Sequence, residues 1–481
     1  MSETSGYKSL REWIVYMKEK GQLIDVNGAD WRNEIGAINE IMQKTPESPA
    51  VLFDNITDYP AGYRLLGNPL NSVARLAYTA GIAEPADKLA LSRALSARMK
   101  NLELIPPQEV KTGPIFENIL QGDAVDLLKF PVPQWHPEDA GRYIGTGGNF
   151  ITSTYDGSWV NMGTYRTMLV NSRQMAVHII NGHHGDAHMK EYHSRNERFP
   201  VVLVAGGDPM LFMASCTDIP AKVSELAWAG GLRGRPFEVV RGPVTGLPIP
   251  AEAEIAIEGF IEPNKLVKEG PFGEWTGYYG QQVMSPVVDV QAVYHRDNPI
   301  ILGCPHSKPP DETAFFKAAF RSALLEESLR LSGIPGLKAC WAHEVGGGRM
   351  LLVIAIEQKY AGQASQMGHV AASCQMGALL GRYVVVVDDD IDPTDLSEVL
   401  WAILTRSDPA TSVDIIKRAW SAALDPRMDP ADKKSGRHIS SRAIIEATKP
   451  FEWKDQYPRT VHRWPLDEQI RNKWEFMKKF V

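Results

Sequence analysis

Two glutamates in this chain, Glu269 and Glu274, are separated by the segment Gly-Pro-Phe-Gly. The spacing does not suit one face of a helix, and a proline between glycines disfavours a helix, so the segment predicts a turn. A turn that directs both carboxyl groups into one cavity, under Phe272 and Trp275, would give them an apolar setting in which one keeps its proton near neutral pH. The alternative is a surface turn with two solvated glutamates, and the segment alone leaves both interpretations open.

Two further groups of polar residues precede this turn. Asn161 and Arg166 lie in or beside a predicted strand; an amide oxygen is a weak metal ligand, and a guanidinium group is a planar fork for carboxylates or phosphates. Residues 183–188 contain three histidines, but no cysteine or HExxH partner of a zinc site is near. A Mn²⁺ ion with mixed ligands would need a histidine, an amide oxygen, an external oxygen and a carboxylate, which Glu225 could supply. A structural role stays open for each of these residues.

The elements that must position these residues fall into three regions. Residues 1–114 are predicted to form a small α+β domain that carries no residues with evident chemistry. Its helices are predicted from apolar residues at helical spacing, and its strands from short β-rich runs. The predicted helices cover residues 8–20, 35–42 and 87–100, and the predicted strands cover residues 23–26, 50–53 and 63–66.

Residues 115–312 alternate short β-rich runs with turns, which is typical of a barrel or a strongly curved antiparallel sheet. An Asp-Gly pair at residues 156–157 predicts a hairpin between two of the runs. The run at residues 300–303 is predicted to continue the same sheet, and both glutamates fall on a loop between strands. The other predicted strands cover residues 149–155, 174–180, 201–205, 237–241, 253–261 and 287–294.

Residues 313–455 alternate helical patterns with apolar strands, which predicts an α/β domain with a largely buried sheet. Residues 456–481 are predicted to be a loop and a terminal helix, over residues 466–480, that packs on a partner subunit. The predicted helices of the α/β domain cover residues 314–332, 363–380 and 395–405, and its predicted strands cover residues 351–356 and 383–387.

Composition is that of an ordinary globular enzyme. Of the 481 residues, 44% are hydrophobic and 23% are charged, and the net charge of −7 argues against a nucleic-acid-binding protein. Four cysteines lie far apart without a CxxC pair, which favours reduced thiols over a disulfide framework or zinc site. No signal-peptide pattern and no run of about 18 apolar residues is visible, so we expect a cytoplasmic protein without a membrane span.

A set of residues and short motifs extends along nearly the whole chain. Its members are Asn161, Arg166, His184, Ala214-Ser215, Val-Ser-Glu225, Glu269-Gly-Pro-Phe-Gly-Glu274, Pro310-Asp-Glu-Thr, and Asp388-Asp-Asp-Ile with Val-Leu-Trp-Ala-Ile-Leu-Thr-Arg406. Together they resemble the UbiD family of prenylated-FMN-dependent decarboxylases. The resemblance implies a multidomain protein of α+β and α/β class whose central domain is a split β-barrel that binds the flavin.

The resemblance implies a reversible, non-oxidative decarboxylation of an aromatic, heteroaromatic or α,β-unsaturated carboxylic acid. Prenylated FMN would supply the electron sink through a covalent adduct with the substrate. Arg166, Glu269 and Glu274 match the family's catalytic network. Glu274 is expected to deliver the proton to the carbon that loses CO₂, while the other two residues hold it in place and the two carboxyl groups titrate as a coupled pair.

The resemblance also implies two metal sites and a set of cofactor contacts. A Mn²⁺ ion would bind the cofactor phosphate, and a K⁺ ion would lie beside it. The implied ligands are Asn161, His184 and Glu225 for Mn²⁺, and Ala214, Ser215, Thr217 and Glu225 for K⁺. The implied cofactor contacts are Asn161, Tyr165, Arg166, His183, His184 and Glu225.

The chain departs from the family where the cofactor phosphate and the substrate are expected. Met376 stands in place of a lysine that contacts the phosphate in a relative, so Arg382 or another basic residue would have to replace it. The expected substrate pocket is lined by Met162, Met213, Phe315 and Leu424, which favours a flat, apolar acid.

Three alternative functions would use parts of the same residue set. A carboxylase acting on a phenolic or other aromatic substrate would use the same site in reverse. A non-catalytic flavin-binding accessory subunit would keep the ion ligands but lack the acid pair, which this chain retains. A glycoside hydrolase would leave the Asn161, His184 and Glu225 set unexplained. The expected partners are a flavin prenyltransferase, which supplies the cofactor, and further copies of the chain in a homodimer or larger oligomer.

Overall fold

The computed structural model describes residues 6–100, 102–456 and 472–476. The predicted terminal helix therefore lies mostly outside the described residues. The first helix shows why the N-terminal elements form: the Ser9 hydroxyl accepts a hydrogen bond from Glu12 N, four apolar side chains are buried on one face, and Gly21 follows with φ of +67°. The N-terminal elements are α1 (Leu10–Glu19), β1 (Leu23–Asn27), α2 (Glu34–Lys44), β2 (Ala50–Asp54), β3 (Arg64–Gly67), α3 (Val73–Thr79), α4 (Lys88–Lys100) and β4 (Gln108–Glu109).

The middle of the chain forms an eight-stranded, antiparallel sheet and three helices. Its strands run in the order β7-β6-β10-β13-β14-β9-β8, and β5 pairs with the far end of β14. The elements are β5 (Asn118–Gln121), β6 (Asn149–Ser153), β7 (Val160–Gly163), β8 (Thr167–Asn171), β9 (Gln174–Val177), α5 (His184–Ser194), β10 (Phe199–Gly206), α6 (Pro209–Ser215), α7 (Glu225–Arg233), β11 (Glu238–Arg241), β12 (Pro248–Pro250), β13 (Ile255–Glu269), β14 (Val283–His295) and β15 (Ile300–Gly303).

This sheet agrees with the predicted antiparallel arrangement, and β6 and β7 form the predicted hairpin around residues 156–157. Among the described residues no pair joins the outer strands β7 and β8, so the sheet is open. Strand β13 extends beyond the predicted run and ends at Glu269, whose partner in β14 is Val283. The long β13–β14 ribbon therefore carries the loop that contains Glu274.

The prediction that residues 300–303 continue this sheet is wrong. Ile300 pairs in parallel with Arg64, so β15 completes a four-stranded sheet in the order β1-β2-β3-β15. An apolar run of four residues fits either sheet equally well, and only the path of the chain after β14 decides which one it joins.

The C-terminal elements form a five-stranded sheet in the order β16-β17-β18-β20-β19. The three inner strands are parallel and the two outer strands are antiparallel to their neighbours. The elements are α8 (Glu312–Leu331), β16 (Leu337–Ala342), β17 (Leu351–Ile356), α9 (Gln363–Ser373), α10 (Gln375–Ala378), β18 (Tyr383–Asp388), α11 (Leu396–Arg406), β19 (Val413–Trp420), α12 (Pro430–Ser435) and β20 (Ile439–Ala447).

The single helix predicted over residues 363–380 is wrong. It is broken at Cys374, whose backbone is extended, with φ of −66° and ψ of 161°. The chain then returns so closely that a Cβ on Gly377 would lie 1.9 Å from Ala371 O. Glycine thus permits a tight approach between two short helices, which an uninterrupted apolar pattern does not reveal.

One of the four hydrophobic clusters of the described residues joins the three regions. A single cluster of buried side chains contains Trp13 from the first region, Phe212 from the second and Phe316 from the third. Loops carried by different regions are therefore held in fixed relative positions. In the described part of the chain, no helix combines the length and the apolar character needed to cross a membrane.

Candidate active site

The two glutamates lie on and beside the loop that joins β13 to β14. Gly270 has φ of +81°, in the left-handed region, and the loop folds back on itself through hydrogen bonds from Gly280 N to Phe272 O (2.9 Å) and from Glu274 N to Tyr278 O (3.0 Å). Glu269 is fully buried and Glu274 is 8% exposed. The interpretation of a solvated surface turn is therefore wrong.

Arg166, immediately before β8, connects the two carboxyl groups. Its Nε and Nη2 atoms donate to the two oxygens of Glu269 at 2.9 and 2.8 Å, and its Nη1 donates to Glu274 Oε1. Burial alone would lower the pKa of Arg166, but the charges of Glu274 and Glu269 outweigh it and raise that pKa. The guanidinium group is thus charged, and it binds both carboxyl groups at the same time.

Two neighbours of this network were not found from the sequence. Tyr143 Oη donates to Glu269 Oε1 at 2.8 Å, and burial together with the charge of Glu269 raises the pKa of Tyr143, so the phenol keeps its proton. His178 Nδ1 lies 3.7 Å from Glu269 Oε2. Burial, followed by the charge of Arg166, lowers the pKa of His178 to about 4, so the ring is neutral at pH 7.

The loop is fastened by a segment that lies far from it in the sequence. Asp139, which is 5% exposed, accepts hydrogen bonds from Gly273 N and from His136 N, both at 3.0 Å. Phe272 packs against Tyr143 with 4.3 Å between ring centroids. The predicted apolar setting of the carboxyl pair is thus formed by Phe272 and Tyr143 on one side of the network.

Trp275 reaches the C-terminal region instead of covering the pair alone. A Cβ on Gly347, in the turn before β17, would lie 2.2 Å from Trp275 Cε3. A Cβ on Gly280 would lie 2.9 Å from Glu274 Oε1. Two glycines, one in the loop and one outside it, therefore leave the space that the glutamate and the tryptophan occupy.

The predicted Mn²⁺ ligands come from three elements that meet beside this network. Asn161 lies in β7, and its Oδ1 is 3.1 Å from Nδ1 of His184, the first residue of α5. Glu225 is the first residue of α7, and its Oε2 accepts a hydrogen bond from Met162 N at 2.8 Å. Asn161 contacts His184, and its neighbour in β7, Met162, contacts Glu225, so the three predicted ligands lie in one cluster.

The chemistry of this cluster fits a bound cation. Burial raises the pKa of Glu225 to about 7, and no cationic side chain contacts it within the described residues. Burial also lowers the pKa of His184, which favours the neutral, ligating ring. The described ranges contain no group of three or more His, Cys, Asp or Glu side chains that could hold a metal, so a site here depends on the amide oxygen of Asn161 and on an external ligand.

The remaining predicted site residues are distributed around these two clusters. Tyr165 Oη accepts a hydrogen bond from Gly185 N at 3.1 Å, which joins the strand end to the start of α5. His183 directly precedes that helix. Ser215 Oγ, at the end of α6, accepts a hydrogen bond from Asn149 Nδ2 at 2.7 Å. Ala214 also lies in α6, and Thr217 follows it in the next turn, where its hydroxyl donates to Met213 O at 2.9 Å.

The residues expected to line the substrate pocket differ in how far they are buried. Met162, Met213 and Phe315 are all buried in the same hydrophobic cluster. Leu424 is half-buried in the turn after β19. Arg382 is the residue expected to replace the missing lysine. Instead it donates two hydrogen bonds to Asp425, at 2.7 and 2.6 Å, so its guanidinium group is already paired with a carboxylate.

Comparison with known proteins places these clusters in a family. Family models for the N-terminal, Rift-related and C-terminal domains of 3-octaprenyl-4-hydroxybenzoate carboxy-lyase match residues 14–95, 108–309 and 314–447. A pyrrole-2-carboxylic acid decarboxylase from Pseudomonas aeruginosa is 31% identical over 484 aligned positions, which cover 96% of this chain and 97% of that protein.

Solved structures agree in fold over the full length. The UbiD-class enzyme HmfF from Pelotomaculum thermopropionicum, in complex with FMN, has a TM-score of 0.85 at 28% identity and covers 96% of this chain and 98% of its own. Vanillic acid decarboxylase from Sedimentibacter hydroxybenzoicus has a TM-score of 0.84 at 26% identity, with 98% and 99% covered. By sequence and by three-domain fold, this chain belongs to the UbiD family of carboxy-lyases.

Proposed function

We propose that this enzyme decarboxylates an aromatic or heteroaromatic carboxylic acid with prenylated FMN as cofactor, and that Arg166, Glu269 and Glu274 perform the catalysis. The observation that supports this proposal is the single charged guanidinium shared by two buried carboxyl groups. Such a set can hold one proton at a defined oxygen in a site that excludes bulk water.

In this proposal Glu274 is the proton donor. Glu269 accepts three hydrogen bonds, two from Arg166 and one from Tyr143, whereas Glu274 accepts one from Arg166. Three donors therefore fix Glu269 in place, which leaves Glu274 as the carboxyl group that can carry a proton to the substrate. Glu274 is also the more accessible of the two, and it delivers the proton to the carbon that has lost CO₂.

The proposed cofactor site includes the cluster around Glu225. When bound, prenylated FMN supplies the electron sink that loss of CO₂ requires. Asn161, His184 and Glu225 would hold a Mn²⁺ ion together with the flavin phosphate, and Ala214, Ser215, Thr217 and Glu225 would hold K⁺. Tyr165 and His183 complete the set, since both adjoin the first turn of α5. In the same proposal, the open eight-stranded sheet is the split barrel that carries the flavin.

The proposed substrate class follows from the relatives and from the pocket. The two relatives named for their reactions act on pyrrole-2-carboxylic acid and vanillic acid, both planar aromatic acids. In this proposal Met162, Met213 and Phe315, which share one hydrophobic cluster, form the apolar wall against which the flat ring of the substrate binds. A flavin prenyltransferase is the proposed supplier of the cofactor.

A homodimer or larger assembly is part of the proposal. Helix α11 exposes Leu400 and Leu404, and the edge strand β19 exposes Ile415 and Trp420. Several large apolar side chains exposed in the C-terminal region are typical of a subunit interface. Size-exclusion chromatography with light scattering tests this part, and a monomer at micromolar concentration would contradict it.

The main test uses protein coexpressed with a flavin prenyltransferase, followed by a UV–visible spectrum, mass analysis and CO₂ release from a panel of aromatic acids. Glu274→Gln should keep the modified flavin and lose turnover about 10²-fold or more, because the positioned acid is absent. Glu262→Gln, an exposed position on the same strand as Glu269, is the matched control and should behave as wild type. Full turnover by Glu274→Gln would contradict the assigned roles, and absence of modified flavin from the wild type would contradict the proposed function.

The same preparation tests the metal ligands. Glu225→Ala should yield folded protein with little bound flavin and little manganese, because the buried carboxylate that compensates the ion is missing. The measurements are flavin absorbance and elemental analysis. A variant that retains both at wild-type levels would contradict the proposed Mn²⁺ site.

A further inference from the structure

Helix α8 presents two cations on one face, toward the loop that follows α6. Lys317 and Arg321 are one turn apart on this helix. Arg321 is 6% exposed; its Nη1 donates to Met376 O at 2.8 Å, and its Nη2 donates to Asp218 Oδ2 at 2.7 Å. The backbone at Met376 is thus already bound to a guanidinium group of another helix.

A third cation reaches the same carboxylate from a different element. Arg349 follows the glycine turn before β17, and its Nη2 lies 3.6 Å from Asp218 Oδ2. The turn packs on α8, since a Cβ on Gly348 would lie 3.2 Å from Ala318 N, next to Lys317. The charges of Lys317, Arg321 and Arg349 all act on the Asp218 carboxylate. We refer to Lys317, Arg321, Arg349 and Asp218 as the basic cluster.

The charges of the basic cluster do not balance. Three cations surround one carboxylate, and within the described ranges Lys317 contacts no acidic side chain at ion-pair distance. Burying a cation such as Arg321 is costly unless a counter-charge compensates it. The Asp218 side chain is 49% exposed, so the cluster opens onto accessible space where a further anion can bind.

The basic cluster adjoins the proposed cofactor site. Asp218 directly follows Thr217 in the chain. The charges of Asp218 and Arg349 both act on the ring of His183, which belongs to the proposed cofactor site. On the other side, the glycine turn that carries Arg349 contacts Trp275 of the catalytic loop through Gly347. The cluster therefore lies between the middle and C-terminal regions, within reach of a molecule bound between them.

We propose that Lys317, Arg321 and Arg349, held around Asp218, form an oxyanion-binding site for a phosphate or carboxylate group. The anion is either the phosphate of the flavin or an acidic substituent of the substrate other than the one that is lost. This inference rests on the proposed function, because both sources are molecules that the proposed active site would hold. Guanidinium and ammonium groups are the side chains that bind such oxyanions.

The first experiment measures binding of FMN and of riboflavin, which lacks the phosphate, to the apo protein by flavin fluorescence. Lys317→Gln and Arg349→Gln are the test variants, because the more buried Arg321 is the riskier position for folding. Arg330→Gln removes a half-exposed cation from the last turn of the same helix and is the matched control. If the cluster binds the phosphate, the Kd for FMN rises about tenfold or more in the test variants, and the Kd for riboflavin is unchanged.

The second experiment measures binding of aromatic acids to FMN-loaded protein by calorimetry. Furan-2-carboxylic acid and furan-2,5-dicarboxylic acid are the probes, since they differ by one carboxyl group. If the cluster binds a substrate group, the test variants lose about tenfold affinity for the dicarboxylic acid alone and bind FMN as wild type does.

The two results separate the sources of the anion, and either one supports the site. Unchanged binding of FMN and of both acids in the test variants would overturn the oxyanion site while leaving the proposed function in place. Wild-type protein that binds neither FMN nor riboflavin would overturn both.

Discussion

At the scale of single residues, unequal hydrogen bonding distinguishes two otherwise similar carboxyl groups. The spacing of Glu269 and Glu274 could be interpreted from the sequence as an acid pair, and the resemblance added Arg166. Tyr143 could not be found in that way, because its contact with Glu269 spans 126 positions of the chain and follows no local pattern. Its phenol is the third donor to Glu269, and it therefore helps to fix the carboxylate that binds Arg166.

Tyr143→Phe should reduce kcat about tenfold, with little change in KM or flavin content. Without the phenol, Glu269 keeps only its two hydrogen bonds from Arg166, so the network holds Glu274 less firmly in the position from which it donates a proton. The measurement is kcat, KM and bound flavin of the loaded enzyme.

Tyr294→Phe is the matched control for this prediction. Tyr294 is also buried and donates to a buried glutamate, Glu258, at 2.7 Å. It lies in β14 and donates to Glu258 rather than to Glu269, so its loss should lower stability and leave kcat unchanged. A Tyr143→Phe enzyme with the kcat of the wild type would mean that the phenol contributes packing alone.

At the scale of elements, glycines decide the contacts that patterns of apolar residues leave undetermined. The boundaries of α1 and β17 follow from spacing and from an apolar run. The break between α9 and α10 does not, because Gly377 permits it through a close approach to Ala371. The same applies to Gly347, which has φ of +63° and leaves the space for Trp275. A turn of the C-terminal region thereby helps to position the loop of the middle region that carries Glu274.

Gly347→Ala should lower kcat/KM about tenfold, because the new methyl group displaces Trp275 and with it Glu274, the proposed proton donor on the same loop. Gly436→Ala is the matched control: Gly436 has a similar φ of +73°, but a Cβ there meets nothing within 4 Å. Both variants bear the strain of a left-handed alanine, on the order of 1 kcal/mol, so thermal unfolding should shift similarly. Steady-state kinetics then isolates the contact with Trp275, and equal activity of the two variants would contradict its role.

At the scale of the whole molecule, the three regions could be predicted but not their mutual contacts. Glu312 is an example of a contact between regions that the sequence does not reveal. It belongs to the Pro-Asp-Glu-Thr segment that resembles the family. Its fully buried carboxyl accepts a hydrogen bond from Leu70 N at 2.5 Å. Burial raises the pKa of Glu312 from 4.5 to about 7. The contact joins the first turn of α8 to the N-terminal region, and no single-region pattern could reveal it.

Glu312 should make stability depend on pH in a defined direction. Its folded pKa lies above its unfolded value, so the folded protein binds the extra proton between pH 4.5 and about 7, and stability falls as pH rises through that window. Glu312→Gln should remove this loss, which is on the order of 2–3 kcal/mol between pH 4.5 and 7.5. Denaturant unfolding at several pH values measures it.

Glu327→Gln, at a half-exposed position of the same helix, is the control for that experiment. It should leave the pH dependence of unfolding as in the wild type. A Glu312→Gln protein with an unchanged pH dependence would show that the carboxyl group is not the source of the effect.

Strand β15 has a consequence for the order in which the protein forms during translation. The N-terminal sheet is complete only when Ile300–Gly303 has paired with β3, and each paired residue lies 236 positions after its partner in the chain. A nascent chain that ends before residue 300 exposes the unpaired edge of β3, although all residues of the N-terminal family model have been synthesised. Boundaries that are evident in the sequence are therefore poor positions for truncation or for exchange of modules between relatives, because the first sheet depends on a strand from the second module.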